Sequence, residues 1–244
     1  VWLGVGAVVL VALVGLLVSQ KAQFLAGGAL VNVGYRMQDH LHEFDFEHHE
    51  DITPEHVWKE FVSQNELASS VRRTFPRSTY HPLVAMLVCM DARIDTNELV
   101  GDTRRNYYVV RTAGSALSAE EEDMLELAVN NGVKVILLTR HTDCAAEKVA
   151  ADPVLRTQYP SLVASLEQRD ARVAEFLARP AIAERIKSGK LLVKQYLIDT
   201  ATEQLVDSPL PKAAAPSAPE AAPAPALDAA PAPTADPSSA PIPG

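Results

Sequence analysis

Short apolar runs alternate with helix-periodic stretches along the middle of the chain. Leu83-Val84-Ala85-Met86-Leu87-Val88 reads as a buried strand, and the β-branched and aromatic run Tyr107-Tyr108-Val109-Val110, within 106–111, as the next. Val133-Lys134-Val135-Ile136-Leu137-Leu138 predicts a third, and Leu191 to Ile198 a fourth. A turn around Asp199 to Thr202 and a short return at Gln204 to Val206 follow. Helix signals fill the gaps. Thr53-Pro54-Glu55 combines an N-cap, a proline at the first helical position and an acid suited to the dipole. Val57, Phe61, Leu67 and Val71 then recur near helical spacing, with Trp58 alongside. Ile94 to Leu99 predicts a turn or short helix that Asp95 can cap. Ser118 and Glu121 form a capping box ahead of the apolar positions Met124, Leu125, Leu127 and Ala128. Ala145 to Ala150, Leu162 to Leu177 and Ala181 to Ile186 read as further helices, punctuated by Pro180 and Gly189. Strands alternating with helices argue for an α/β fold, a mainly parallel β-sheet flanked by helices.

The two ends follow different patterns. Val1 to Val18 carries no charge, and Gln20 and Lys21 mark its end. A spanning helix needs about 20 apolar residues, whereas the apolar core of a signal peptide runs about 7 to 15. The expectation is one N-terminal transmembrane helix over residues 1–22, with a signal peptide or a buried helix as the competing accounts. Phe24 to Tyr35 is semi-apolar and can extend that helix or lie at the interface. Between Gln38 and Asp51, His40, His42, His48 and His49 stand among Glu43, Asp45, Glu47, Glu50 and Asp51. Such a cluster can bind a metal, but it has no strict ligand spacing, and 23–52 is read as a solvated acidic and His-rich linker. From Pro209 onward Ala and Pro dominate, with too few large apolar side chains to offset ordering entropy, so 209–244 is read as a disordered tail. That leaves 53–208 as the folded domain.

Composition narrows the function. The 244 residues are 48% hydrophobic, enough for a sizeable core, and the net charge of -9 with no basic stripe excludes a nucleic-acid partner. There are two cysteines, Cys89 and Cys144. Cys89 opens Cys89-Met90-Asp91-Ala92-Arg93 after the first apolar run, and Cys144 closes His141-Thr142-Asp143-Cys144 after the third. An imidazole and two thiolates drawn from separate strand ends can hold three of zinc's four tetrahedral positions and leave the fourth open. The alternative is a single Cys89–Cys144 disulfide. A helix opening at Ala145 would favour the thiolate form of Cys144.

The C-x-D-x-R and H-x-x-C motifs, with Arg111-Thr112-Ala113-Gly114-Ser115 between them, resemble the β-class carbonic anhydrases. The likeness is to the shorter bacterial form, in which M-D-A-R precedes an aliphatic residue as Met90 to Ile94 does here, and it runs from about Thr53 to about Val206. It implies a Zn2+ cofactor on Cys89, His141 and Cys144, and reversible hydration of CO2 to bicarbonate by zinc-bound hydroxide. Asp91 and Arg93 would orient that hydroxide, and Asp91 would join the metal only in a closed resting form. Gly114 would pass close to the pocket and contact substrate. The resemblance also implies a homodimer in which early helices pack on a second subunit. With the N-terminal segment it implies a single-pass protein of a bacterial inner membrane, alone or in a larger membrane complex, the side of the catalytic domain being unreadable. Two alternatives are a non-catalytic zinc-containing subunit of such a complex and a hydrolase of a related small molecule such as carbonyl sulfide. The chain departs from the family pattern at Arg140, at Ala145-Ala146 and at Thr112 and Ser115. Asp143 is read as a supporting or loop-capping group, His81 as a packing residue, and Arg72, Arg73 and Arg77 as a solvated helix end.

Overall fold

The computed structural model describes residues 5, 11, 14, 15, 18–38, 53–76, 80–103 and 106–208. Its centre is a five-stranded sheet of β1 (Val84–Cys89), β2 (Tyr107–Thr112), β3 (Val135–His141), β4 (Leu192–Asp199) and β5 (Gln204–Ser208), in the order β2-β1-β3-β4-β5. The first four strands are parallel and β5 closes the sheet antiparallel to β4. The sheet is therefore mixed, with a parallel majority. From β1 the chain goes to one side to make β2 and later returns on the other side as β3. Loops leaving the C-terminal ends of β1 and β3 consequently diverge and open a crevice, the usual ligand position in an open α/β sheet.

The strand pleat sorts the core into two faces. Ala85 and Leu87 of β1 pack with Ile136 and Leu138 of β3 on one face, together with Leu125, Val129, Val173, Phe176 and Ile182. Met86 and Val88 turn to the other face and, with Cys89 at the strand's end, meet Ile94, Leu137, Cys144 and Ile198. The first face is covered by α4 (Ala119–Asn130), α7 (Pro160–Ala178) and α8 (Pro180–Lys187), and the second is partly covered by α3 (Thr96–Val100) through Leu99 and Val100. Phe176 is wholly buried; truncating such a ring to Ala costs about 3–5 kcal/mol.

Helix starts follow the sequence signals. The Ser118/Glu121 capping box closes the N-terminus of α4, Asp95 caps α3 by accepting from Asn97 N–H, and Pro160 and Pro180 begin α7 and α8. Glu122 is buried where α4 meets α7 and lies between Arg172 and Arg179. Arg179 also reaches Asp123 and Glu126. Burial raises the Glu122 carboxyl above its ordinary value, and the two guanidinium groups oppose that shift.

Two further helices precede the sheet: α1 (Gln20–Gln38) and α2 (Pro54–Thr74), the latter capped by Thr53, which accepts from His56 N–H. Neither contains a buried residue. The remaining helices are α5 (Ala145–Ala151) and the single turn α6 (Leu155–Gln158), which the apolar pattern does not announce.

Three expectations need adjusting. β3 runs to His141, so this residue ends a strand and does not sit in the loop beyond it. Helix α1 crosses the boundary drawn at residue 22, and the first part of the expected linker is helical. The transmembrane expectation for 1–22 falls largely outside the described residues, and among the described residues no helix is long and apolar enough to cross a membrane. The His-rich stretch 39–52 and the tail 209–244 also lie outside them.

Candidate metal centre

Cys89 and His141 are the last residues of β1 and β3, strands paired side by side, while Cys144 is the N-cap of α5 three residues beyond His141. All three are buried, and their ligand atoms lie within 4.8 Å of one another. Both cysteines are free, so the disulfide alternative is not realised. Asp91 is not in this cluster.

The donor chemistry fits a metal ion. The Nδ1 atom of His141 is 2.9 Å from the carbonyl oxygen of Thr142, which fixes the tautomer with the proton on Nδ1. Its Nε2 is buried with no hydrogen-bond partner. A buried lone pair without a donor is costly, and a cation shared with two sulfurs satisfies it. The two thiols lie in an apolar setting: burial pushes Cys144 up from its ordinary value and the neighbouring Cys89 adds to this, while backbone N–H groups of Glu147 and Ala146 act in the other direction. A bound cation would favour both thiolates. The Sγ of Cys89 accepts a hydrogen bond from Gly114 N–H at 3.3 Å. Gly114 has φ of 59°, and a Cβ there would fall 2.3 Å from Leu166 Cδ2. The glycine is thus required by its conformation and by the closeness of α7.

Asp91 and Arg93 form a rigid pair beside the cluster. Arg93 donates its backbone N–H and Nε to Oδ1 of Asp91, both at 3.0 Å, and its Nη2 to Oδ2 at 2.8 Å. These bonds hold the Asp91 carboxyl well below the usual carboxylate range. Arg93 also donates to the side chain and carbonyl of Asp143. Asp143 in turn pairs with Lys148. The H-x-x-C loop therefore supports the C-x-D-x-R loop through Asp143.

The sequence departures find places around this centre. Arg140 pairs with Asp170 on α7, while Thr112 and Ser115 carry buried hydroxyls with no partner. Ala146 lies 3.5 Å from where a Gly114 Cβ would be. His81 packs against the carbonyl of Asn131, and Arg72 bonds Ser69 on an exposed face of α2. Arg77 falls outside the described residues.

Two supporting residues have no role assigned from sequence, Arg111 entering only as part of the middle motif. Arg111, inside β2, donates to the carbonyls of Ile94 and Cys89 and so braces the first motif. Arg169 of α7 reaches Gly114 and Glu147. A signal for Arg169 was present: positions 162, 166, 169, 173 and 177 recur at helical spacing, which puts a cation on the apolar stripe.

A family model described as carbonic anhydrase matches residues 84–215, more than half of the chain. The Beta-carbonic anhydrase 1 proteins of Mycobacterium tuberculosis and Mycobacterium bovis are 33% identical over 64 residues, 25% of this chain. The aligned part spans 38% of the length of those curated relatives. Among solved structures, a tetrameric β-carbonic anhydrase from Sordaria macrospora gives a TM-score of 0.48 at 19% identity, covering 62% of this chain and 95% of that one. The carbonic anhydrase of Streptococcus mutans gives 0.46 at 17% identity, covering 60% and 96%.

Proposed function

The chain belongs to the β-carbonic anhydrase family, and from this premise we propose that it is a zinc-dependent carbonate dehydratase interconverting CO2 and bicarbonate. The observation that carries the reading is the buried Cys89, His141 and Cys144 cluster with an unpartnered Nε2 aimed at no protein donor. These three residues would hold the ion. Zinc supplies a Lewis acid that brings the pKa of water to about 7, a value known for a three-histidine carbonic anhydrase and taken over by analogy.

The chain's own residues do the rest. Asp91 Oδ1 takes two bonds from Arg93 and Oδ2 takes one, so Oδ2 keeps acceptor capacity for a proton-bearing oxygen beside the cluster. Because Arg93 holds the carboxyl ionised, Asp91 acts as an acceptor that orients this oxygen and does not titrate near neutral pH. Asp143 fixes Arg93 from behind. The apolar neighbours Val88, Ile94, Leu137 and Ile198 exclude water around the sulfurs and suit a small substrate without charge. Gly114 contributes its backbone N–H, which is bonded to Cys89 Sγ, and its missing side chain makes room for Leu166 of α7.

The intact Asp91–Arg93 pair favours an enzyme over a zinc-holding subunit, since a site kept for stability has no use for an ionised acceptor at its mouth. We assign residues 1–22 as a membrane anchor, 23–52 as a connecting segment, 53–208 as the zinc domain and 209–244 as a tail. The uncharged run Val1 to Val18 supports the first of these. The working unit in this reading is a homodimer. Helix α2 exposes Val57, Trp58, Phe61, Leu67 and Val71, with the rings of Trp58 and Phe61 stacked at 5.5 Å, and a second copy would cover them.

Stopped-flow CO2 hydration by the zinc-loaded full chain tests the reading. Wild type should turn over with a rate that rises through neutral pH. Cys89→Ser should lose both the metal and the activity, to below about 1% of wild type. A zinc-loaded wild type with no rate above buffer would overturn the enzymatic assignment.

A further inference from the structure

The two sulfurs of the candidate centre come from segments with no covalent reason to stay in register. Cys89 ends β1, while Cys144 opens α5 beyond β3. Something must set their separation. Within the C-x-D-x-R loop, Arg93 reaches across to Asp143, but this bridge lies on the exposed side.

A second bridge lies on the buried side. Arg169 is 9% exposed and sits on the face of α7 that also presents Val173 and Phe176 to the core. A buried guanidinium is costly to leave unengaged; in Arg169 both terminal nitrogens are bonded, while Nε is buried without a partner. One of its nitrogens, Nη1, donates to the carbonyl of Gly114 at 2.7 Å, and the N–H of the same Gly114 donates to Cys89 Sγ. Its other terminal nitrogen, Nη2, donates to Glu147 Oε1 at 2.7 Å, in the first turn of the helix that Cys144 caps. Leu166, one turn earlier on α7, presses on Gly114 from the same side. Gly114 and Ser115 both have positive φ, at 59° and 54°, so this turn needs outside support to hold its shape.

We infer that Arg169 is a positioning residue of the metal centre: a single side chain from α7 that holds the Gly114 turn and the start of α5 together, and so sets the spacing of the Cys89 and Cys144 sulfurs. It touches neither the metal nor the substrate. A partner that served only to dock α7 would need one carboxylate; Arg169 instead divides its bonds between the supports of the two thiolates. This inference rests on the zinc reading of the site.

The test is zinc affinity of the full chain, by competition with a chromophoric chelator, together with the absorption spectrum of the cobalt-substituted protein. Arg169→Gln should weaken zinc binding about 10- to 100-fold, the usual effect of losing a group that orients metal ligands. It should also shift the cobalt d–d and thiolate charge-transfer bands. Arg169→Lys can reach only one of the two partners and should fall between. Glu147→Gln, on the half-exposed side of the bridge, keeps the variant set usable if Arg169→Gln does not fold, and should weaken zinc in the same direction by less. Arg179→Gln is the control: it breaks the Glu122, Asp123 and Glu126 pairs far from the sulfurs, lowering apo-protein stability with zinc affinity and cobalt spectrum unchanged. If Arg169→Lys and Glu147→Gln leave zinc affinity within twofold and the cobalt bands unmoved, Arg169 only docks α7 and the inference is wrong. If wild type itself binds no zinc, the proposed function falls first and takes the inference with it.

Discussion

The strand-end centre and the N-terminal helices make opposite use of the same chain. Cys89, His141 and Cys144 are each less than 5% exposed, and Asp91, Arg93, Asp143 and Gly114 around them are hydrogen-bonded within one copy. Helices α1 and α2 bury no residue, although α2 has a sound N-cap in Thr53 and an apolar stripe. Sheet pairing explains the difference. β1 and β3 are neighbours, so the sheet itself brings Cys89 and His141 at their ends together, while Cys144 at the start of α5 is held by supports beyond the sheet. A helix outside the sheet has only its stripe, which stays exposed until another surface covers it. A site built on strand ends gathers its ligand residues within one chain, and a helix built on periodicity alone leaves its stripe exposed.

The first way to break this comparison is at the centre. Asp91→Asn keeps the shape of the side chain and removes its charge, so hydration of CO2 should fall about 100-fold while zinc content stays at the wild-type level. Stopped-flow rates paired with elemental analysis check it. Parallel loss of zinc would show that Asp91 supports the fold of the site and not its chemistry.

The second acts on the helices. Trp58→Glu with Phe61→Glu puts two charges on the exposed stripe of α2. In the dimer reading this should weaken self-association about 30-fold or more, as loss of a buried aromatic anchor does, with little change in the thermal stability of the sheet domain. Sedimentation against concentration measures it. Unchanged association would mean that α2 is covered by something other than a second copy.

Much of this contrast was legible in the sequence. The strands at Leu83 and Val133 stood out because runs buried on both faces lose their alternation and read as continuous apolar segments, and those at Tyr107 and Leu191 through their β-branched, aromatic and aliphatic side chains. The three ligand residues stood out because His and Cys rarely share such spacing by chance. The tertiary consequences were harder to read. Arg111 and Arg169 act on backbone carbonyls that folding brings near, and a carbonyl leaves no mark in a sequence. The extent of β3 was missed by two or three residues because Thr139 and Arg140 are polar; Thr139 is accommodated by donating its hydroxyl to the carbonyl of Leu87 on β1. Amphipathicity announced α2 but gave no indication of what would cover it.

The third and smallest effect is on acid stability. Bonds from Arg93 depress the Asp91 carboxyl in the folded protein, so its contribution to stability is complete above the ordinary carboxylate value of about 4 and is lost as pH falls through the lower folded value. The melting temperature of wild type should exceed that of Asp91→Asn at pH 7, and the gap should narrow progressively as pH falls below about 4. Thermal melts across that range measure it. A gap that stayed constant into acid would show that the Asp91–Arg93 pair adds nothing through ionisation.

The zinc K-edge absorption spectrum of the purified full chain bears most directly on the metal centre. The account predicts one zinc per chain with two sulfur neighbours at about 2.3 Å and one imidazole nitrogen at about 2.0–2.1 Å. A metal shell without sulfur, or Cys89 and Cys144 found bonded to each other, would contradict it.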